Sequence, residues 1–155
     1  MKPSPRPAAL AALLLPLLAL AAGTAPAATF TIDVGTDTHD ASPGDGTCAD
    51  ATGHCSLRAA IEEANNSAGD HVINFTPGIV VTVGAFGSLP SVNAKVVING
   101  NLATVDGQYV SGSSIGYGCL SLLDSGTAAL GHANGAAGST VMNLSIVRCN
   151  GDGIS

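Results

Sequence analysis

The chain has 155 residues, room for one ordinary domain, and carries only 10% charged and 3% aromatic residues with a net charge of −6. A sparse, acidic charge repels phosphate backbones and excludes nucleic acid as a partner. The 20 glycines, the small polar residues and the scarcity of aromatics favour short strands and turns over a large aromatic core.

Residues 1–27 read as a secretory signal peptide. Lys2 and Arg6 form a basic start, 8–22 is apolar apart from Pro16, and Ala25-Pro26-Ala27 supplies small residues for cleavage. An apolar run of about 15 residues is short of the roughly 20 that cross a bilayer. The expected mature chain is therefore secreted or at the cell surface, with no membrane span. Cleavage leaves Arg58, Lys95 and Arg148 against eleven acidic residues, a net charge of −8.

Residues 28–70 are expected to form an N-terminal cap: a strand, an acidic loop and a helix. The β-branched run 29–34 alternates and predicts the strand. The acidic set Asp33, Asp37, Asp40, Asp45 and Asp50 offers hard oxygen ligands suited to calcium, which takes six to eight of them. The alternative is that these aspartates form turns, and no other cofactor is expected. Leu57, Ala60, Ile61 and Ala64 recur at i, i+3, i+4 and i+7 and predict a helix over 57–65, with Ser56 as its N-cap. Arg58 either pairs with Glu62 one turn on or ties the acidic loop to the helix.

Residues 71–155 show short apolar runs at 72–75, 79–83, 96–98, 120–123 and 141–147, with another starting at Ile154. Ile73, Ile98, Leu122 and Ile146 are spaced by 25, 24 and 24 residues. Such a period predicts an all-β fold, a right-handed parallel β-helix whose coils stack into an apolar column capped by the helix. Asn99-Gly100 and Asn150-Gly151 would be its turns. An antiparallel sandwich is the competing architecture. The chain stops just inside a predicted strand, so the solenoid is expected to be incomplete at its C-terminus.

Cys48, Cys55, Cys119 and Cys149 are an even set in an exported chain and predict disulfides. Three pairings are possible. A local Cys48–Cys55 bridge across a turn is plausible and would leave Cys119 with Cys149. Zinc is the rival, but there is no C-x-x-C pair to hold it.

Cys55-Ser56-Leu57-Arg58-Ala59-Ala60-Ile61, with Glu62-Glu63-Ala64-Asn65 after it, resembles the CSLREA-type N-terminal region of exported bacterial right-handed β-helix (pectate-lyase-like) proteins. Gly44-Asp45-Gly46-Thr47-Cys48 upstream, with Ile73-Asn74-Phe75, Leu89-Pro90 and Val97-Ile98-Asn99-Gly100 downstream, extends the resemblance over about 30–107. Ala59 stands where the motif has Glu. The resemblance implies an extracellular β-helix and brings no catalytic residues with it.

No catalytic residue is assigned. Arg148 and Asp152 lack a second acidic partner for lyase or hydrolase chemistry, and His39, His54, His71 and His132 are scattered and read as surface residues. The expected function is an exported structural or adhesive scaffold that meets extracellular polysaccharide or host and cell-surface components. The alternative is the front of a polysaccharide lyase or glycoside hydrolase whose active site lies beyond Ser155. If the acidic loop holds calcium, millimolar calcium raises the melting temperature of the mature protein; an unchanged melt excludes that use of the loop.

Overall fold

Alternation of apolar side chains makes the strands, in a computed structural model that describes residues 27–111, 116–123, 136–150 and 154. Thr29–Ile32 (β1) buries Phe30 and Ile32 and exposes its threonines. His71–Phe75 (β2) buries His71, Ile73 and Phe75, and Val80–Thr82 (β3) buries Val81. Val96–Asp106 (β4) buries Val96, Ile98, Ala103 and Val105, whereas Thr140–Val147 (β5) is half-buried at best. The helix Leu57–Asn66 (α1) lies between β1 and β2 in the chain. The expected signal peptide falls outside the described residues, except for Ala27.

All strand pairs are parallel, in the order β1-β2-β4-β3, with β5 on the other side of β4. The long β4 is the hub. Its first half pairs with β2, its second half with β3, and both halves pair with β5. The register shifts between Asn99 and Ala103, where Asn101 and Leu102 take positive φ of 48° and 66°. A bulge of this kind bends a strand and turns it from one neighbour to the next. Gly100 lies at the bend because a Cβ there would stand 2.5 Å from the carbonyl oxygen of Asn143 on β5.

The expectation of an all-β, right-handed parallel β-helix is corrected by this topology. The described residues form a small mixed α/β unit, a five-stranded parallel sheet with one short helix, and no stack of equivalent coils is found among them. The proposed step of 24–25 residues fails after its first interval. Ile73 does pair with Ile98, but Ile98 pairs next with Val141, Leu122 bridges to Val92, and Ile146 faces Val105. The evenly spaced apolar residues belong to different strand pairs and do not mark successive coils. Asn99-Gly100 is no turn between strands either; it lies within β4. Of the run at 120–123, only isolated bridges at Leu120 and Leu122 form, and Ile154 contributes one bridge, to Leu120.

The helix belongs to the core. Leu57, Ala60, Ile61 and Ala64 join Phe30, Ile32, Ile73, Phe75 and Ile98 in one buried cluster. Ser56 caps the helix by accepting from the Ala59 amide at 3.0 Å, and its hydroxyl donates to the Thr38 carbonyl at 2.6 Å. The helix thus begins where the acidic loop is anchored.

Gly35 runs against β3. The Thr82 amide donates to its carbonyl at 2.9 Å, and a Cβ on Gly35 would stand 2.0 Å from the Val80 carbonyl oxygen. Gly53, by contrast, has open space around it and a φ of +86°. Gly35→Ala is expected to lower stability by about 2–3 kcal/mol through the clash, and Gly53→Ala by about 1 kcal/mol through its left-handed backbone alone. Urea melts of the two variants check the order, and equal losses would refute the close packing of Gly35 on β3.

Candidate functional site

A dense set of side-chain hydrogen bonds joins the acidic loop to the helix. Arg58, on the first turn of α1, is buried, with Nε donating to Asp37 Oδ1 at 2.7 Å and Nη2 to Asp37 Oδ2 at 3.1 Å. Nη2 also reaches the carbonyls of Gly87 and Ser88, at 3.0 and 3.1 Å. The Phe86 ring lies 5.9 Å from the guanidinium carbon. Asp37 accepts in turn from the Gly84 and Phe86 amides, at 2.9 and 3.4 Å. Burial pushes the Asp37 carboxyl up. The Arg58 guanidinium and the two amides outweigh burial and hold it below the ordinary carboxylate value.

Arg58 and Glu62 do not pair, although one helical turn separates them. Glu62 instead meets His39 Nδ1 at 2.6 Å and accepts from the Asp40 amide at 2.9 Å. Glu63 is fully buried and accepts from the Gly44 and Gly46 amides, at 2.5 and 2.6 Å. Both glycines have positive φ, which aims their N–H groups at one carboxylate. Sequence reasoning missed this contact. Glu63 does follow Ala60 by three residues on the apolar side of the helix, but its partners lie 17 and 19 residues upstream.

The five aspartates weighed for calcium are not gathered, and no group of three or more His, Cys, Asp or Glu among the described residues is placed to hold a metal. Each carboxylate accepts from nearby protein donors. Asp33 takes the Cys55 amide at 2.9 Å and Asp45 the Thr47 amide at 2.8 Å, while Asp40 takes the Ser42 and Ala49 amides at 2.8 and 3.1 Å. Asp50 accepts from the Thr38 and Thr52 hydroxyls and from the Thr52 and His54 amides. The Thr52 hydroxyl and the His54 amide are the leading causes that lower the Asp50 pKa. Two-residue reaches such as Asp45 to Thr47 are Asx turns.

The cysteines pair as Cys48–Cys55 and Cys119–Cys149. The first bridge closes the acidic loop onto the residue before the helix cap. The second joins the segment beside Gly107 to the end of β5. There Arg148 grips Asp106, with Nε donating to Oδ1 at 2.8 Å and Nη2 donating to Oδ2. The Arg148 bond, helped by the Gln108 amide, holds the Asp106 carboxyl below its usual value. The partner considered for Arg148 from sequence, Asp152, lies outside the described residues, as does His132.

Of the other histidines, His39 and His54 stand beside Glu62 and Asp33. His71 is corrected from a surface residue to a buried one, 2% exposed and stacked on Phe30. A shallow groove of about 270 Å³ lies beside the second disulfide, lined by Ser88, Ser91, Cys119, Ser121 and Asn150 among others. Serine hydroxyls and the Asn150 amide share its lining with Leu89 and Leu120, and none of these lining side chains is charged.

These features define a disulfide-bonded α/β domain built on a parallel sheet. The chain matches no known protein family, no curated protein and no solved structure. Two disulfides suggest an extracellular or otherwise oxidising compartment. No helix among the described residues is long and apolar enough to cross a membrane.

Arg58→Met is expected to cost about 3–5 kcal/mol at neutral pH, because it leaves the Asp37 carboxylate buried without its cation. The pH dependence follows from the lowered Asp37 pKa. Stability supplied by a depressed carboxyl is present above the unfolded-state value of about 3.9 and is lost as pH falls through the folded value. The stability gap between the parent and Asp37→Asn should therefore hold steady down to about pH 4 and narrow below it. Urea melts across a pH series measure the gap; narrowing already at about pH 6 would contradict the assignment.

Proposed function

We propose that the chain is an exported structural domain, displayed outside the cell as a rigid adhesive scaffold. One observation carries the reading. The three cations left after signal cleavage each pair with a carboxylate of the same chain, Arg58 with Asp37 in the interior, and Lys95 with Asp70 and Arg148 with Asp106 at the surface. The buried Arg58–Asp37 pair fastens the acidic loop to the helix. The two disulfides and the resemblance of 55–61 to the N-terminal regions of exported proteins support export, with cleavage near residue 27. The uncharged groove beside Cys119 suits neutral polyol surfaces, and extracellular polysaccharide or cell-surface components are the proposed partners.

The test is co-sedimentation of the purified exported chain with insoluble polysaccharides and cell envelopes, with release of sugar products assayed in parallel. Binding without product release is expected, and release of oligosaccharide by the chain would overturn the scaffold reading. A scaffold of this design should also depend on its cross-links. Closing loops of 7 and 30 residues of sequence separation contributes about 2–4 kcal/mol each by chain entropy. Reductant should therefore lower the melting temperature markedly, and a melt indifferent to reductant would count against the design.

A further inference from the structure

The chain has three phenylalanines and two tyrosines. Phe30 and Phe75 are buried in the core and Tyr109 and Tyr117 are half-buried, but Phe86 is 56% exposed. Its backbone is nevertheless held firmly. Phe86 sits in the turn 84–87, where the Gly87 amide donates to the Gly84 carbonyl at 3.3 Å and both glycines have positive φ. Asp37 accepts from the Gly84 and Phe86 amides, and Arg58 donates to the Gly87 and Ser88 carbonyls. The turn is thus anchored on both sides of the ring to the buried ion pair. The His39 ring packs against Phe86 at an interplanar angle of 60°, with centroids 4.4 Å apart.

The groups around the ring are polar. Glu62 meets His39 Nδ1 with Oε1 and accepts from the Asp40 amide with Oε2. An ionised carboxylate only accepts, so Nδ1 carries the proton, and Nε2 of the neutral imidazole is an acceptor. The His39 side chain is half exposed. Ser88, two residues past Phe86, lines the serine-rich groove.

We propose that Phe86 is the platform of a glycan-binding site that takes an uncharged pyranose of glucose configuration, an inference that rests on the polysaccharide-binding scaffold proposed above. In such a sugar the hydroxyls are equatorial and the ring C–H bonds axial, so each face is a set of C–H groups rimmed by hydroxyls. The C–H face stacks on the electron-rich face of Phe86, and a rim hydroxyl donates to His39 Nε2. Three features select this ligand. The platform is one ring wide, with His39 and Arg58 stacked on it; a protein-docking patch needs several hundred Å² of continuous apolar surface. Acidic sugars are disfavoured, because the mature chain carries a net charge of −8 and its three cations each pair with a carboxylate. The anchored turn fixes the ring before ligand arrives, so little ordering entropy is lost on binding.

The chain has no tryptophan, so Phe86→Trp places a single fluorescent reporter in the platform. Cellohexaose is expected to shift its emission saturably, and parent and variant should both co-sediment with cellulose and leave a polygalacturonate gel unbound. Phe86→Leu keeps an apolar cover beside Arg58 but has no π face. It should melt like the parent and bind cellulose at least about tenfold more weakly. Full cellulose binding by Phe86→Leu, a tryptophan emission indifferent to cellohexaose, or preference for polygalacturonate would each overturn the platform. If the parent binds cell envelopes or other polysaccharides but not cellulose, the platform is overturned and the adhesive scaffold stands. Binding to no surface at all overturns both.

Discussion

A guanidinium taken out of water needs a carboxylate beside it, and for Arg58 that carboxylate is Asp37. This pair joins three stretches distant in sequence: the first turn of the helix, the acidic loop and the 84–88 turn. Each partner is nearly completely shielded, so neither can be left alone without a large penalty. The loop carries little regular structure of its own and depends on such fixed points for its path. Ser56, Glu62 and Glu63 add to them from the same helix, through Thr38, Asp40 and the two loop glycines. One side of α1 therefore packs in the hydrophobic core while another serves as the loop's framework.

That framework accounts for the acidity of the loop. Backbone N–H groups in an irregular segment need acceptors, and a carboxylate accepts several at once. Asp33, Asp40, Asp45 and Asp50 each satisfy amides within or beside the loop. The Cys48–Cys55 bridge closes the same segment covalently. At the far end of the sheet the logic repeats on a smaller scale, where Cys119–Cys149 holds Arg148 next to Asp106. A chain poor in charge and in aromatics thus relies on local cross-links at both ends of a parallel sheet.

The sheet itself depends on the bend in β4. Parallel strands cannot be joined by tight hairpins and need crossover segments. β4 serves β2 with one half and β3 with the other because positive φ at Asn101 and Leu102 changes its direction. β5 follows the same bend at Asn143 and closes on Gly100. A positive φ at asparagine followed by leucine has no reliable mark in a sequence, and Asn99-Gly100 carries the composition of a turn. That composition predicts a turn, and a continuous strand forms because β5 pairs with β4 on both sides of the bend.

What the sequence determined by itself was local and covalent. The 3.6-residue periodicity placed the helix to within one residue at its end, since amphipathic spacing and the Ser56 cap act over a single turn. Alternation located β1, short apolar runs located β2, β3 and β5 closely, and the short spacing of Cys48 and Cys55 favoured their bridge. Only the tertiary structure decided which strands are neighbours, because a parallel pairing is set by crossovers whose length no short-range pattern records. It alone decided that Arg58 turns to Asp37 over Glu62, and that Glu63 lies inside. Those choices depend on burial, which makes a distant, well-aligned partner worth more than an exposed one a helical turn away.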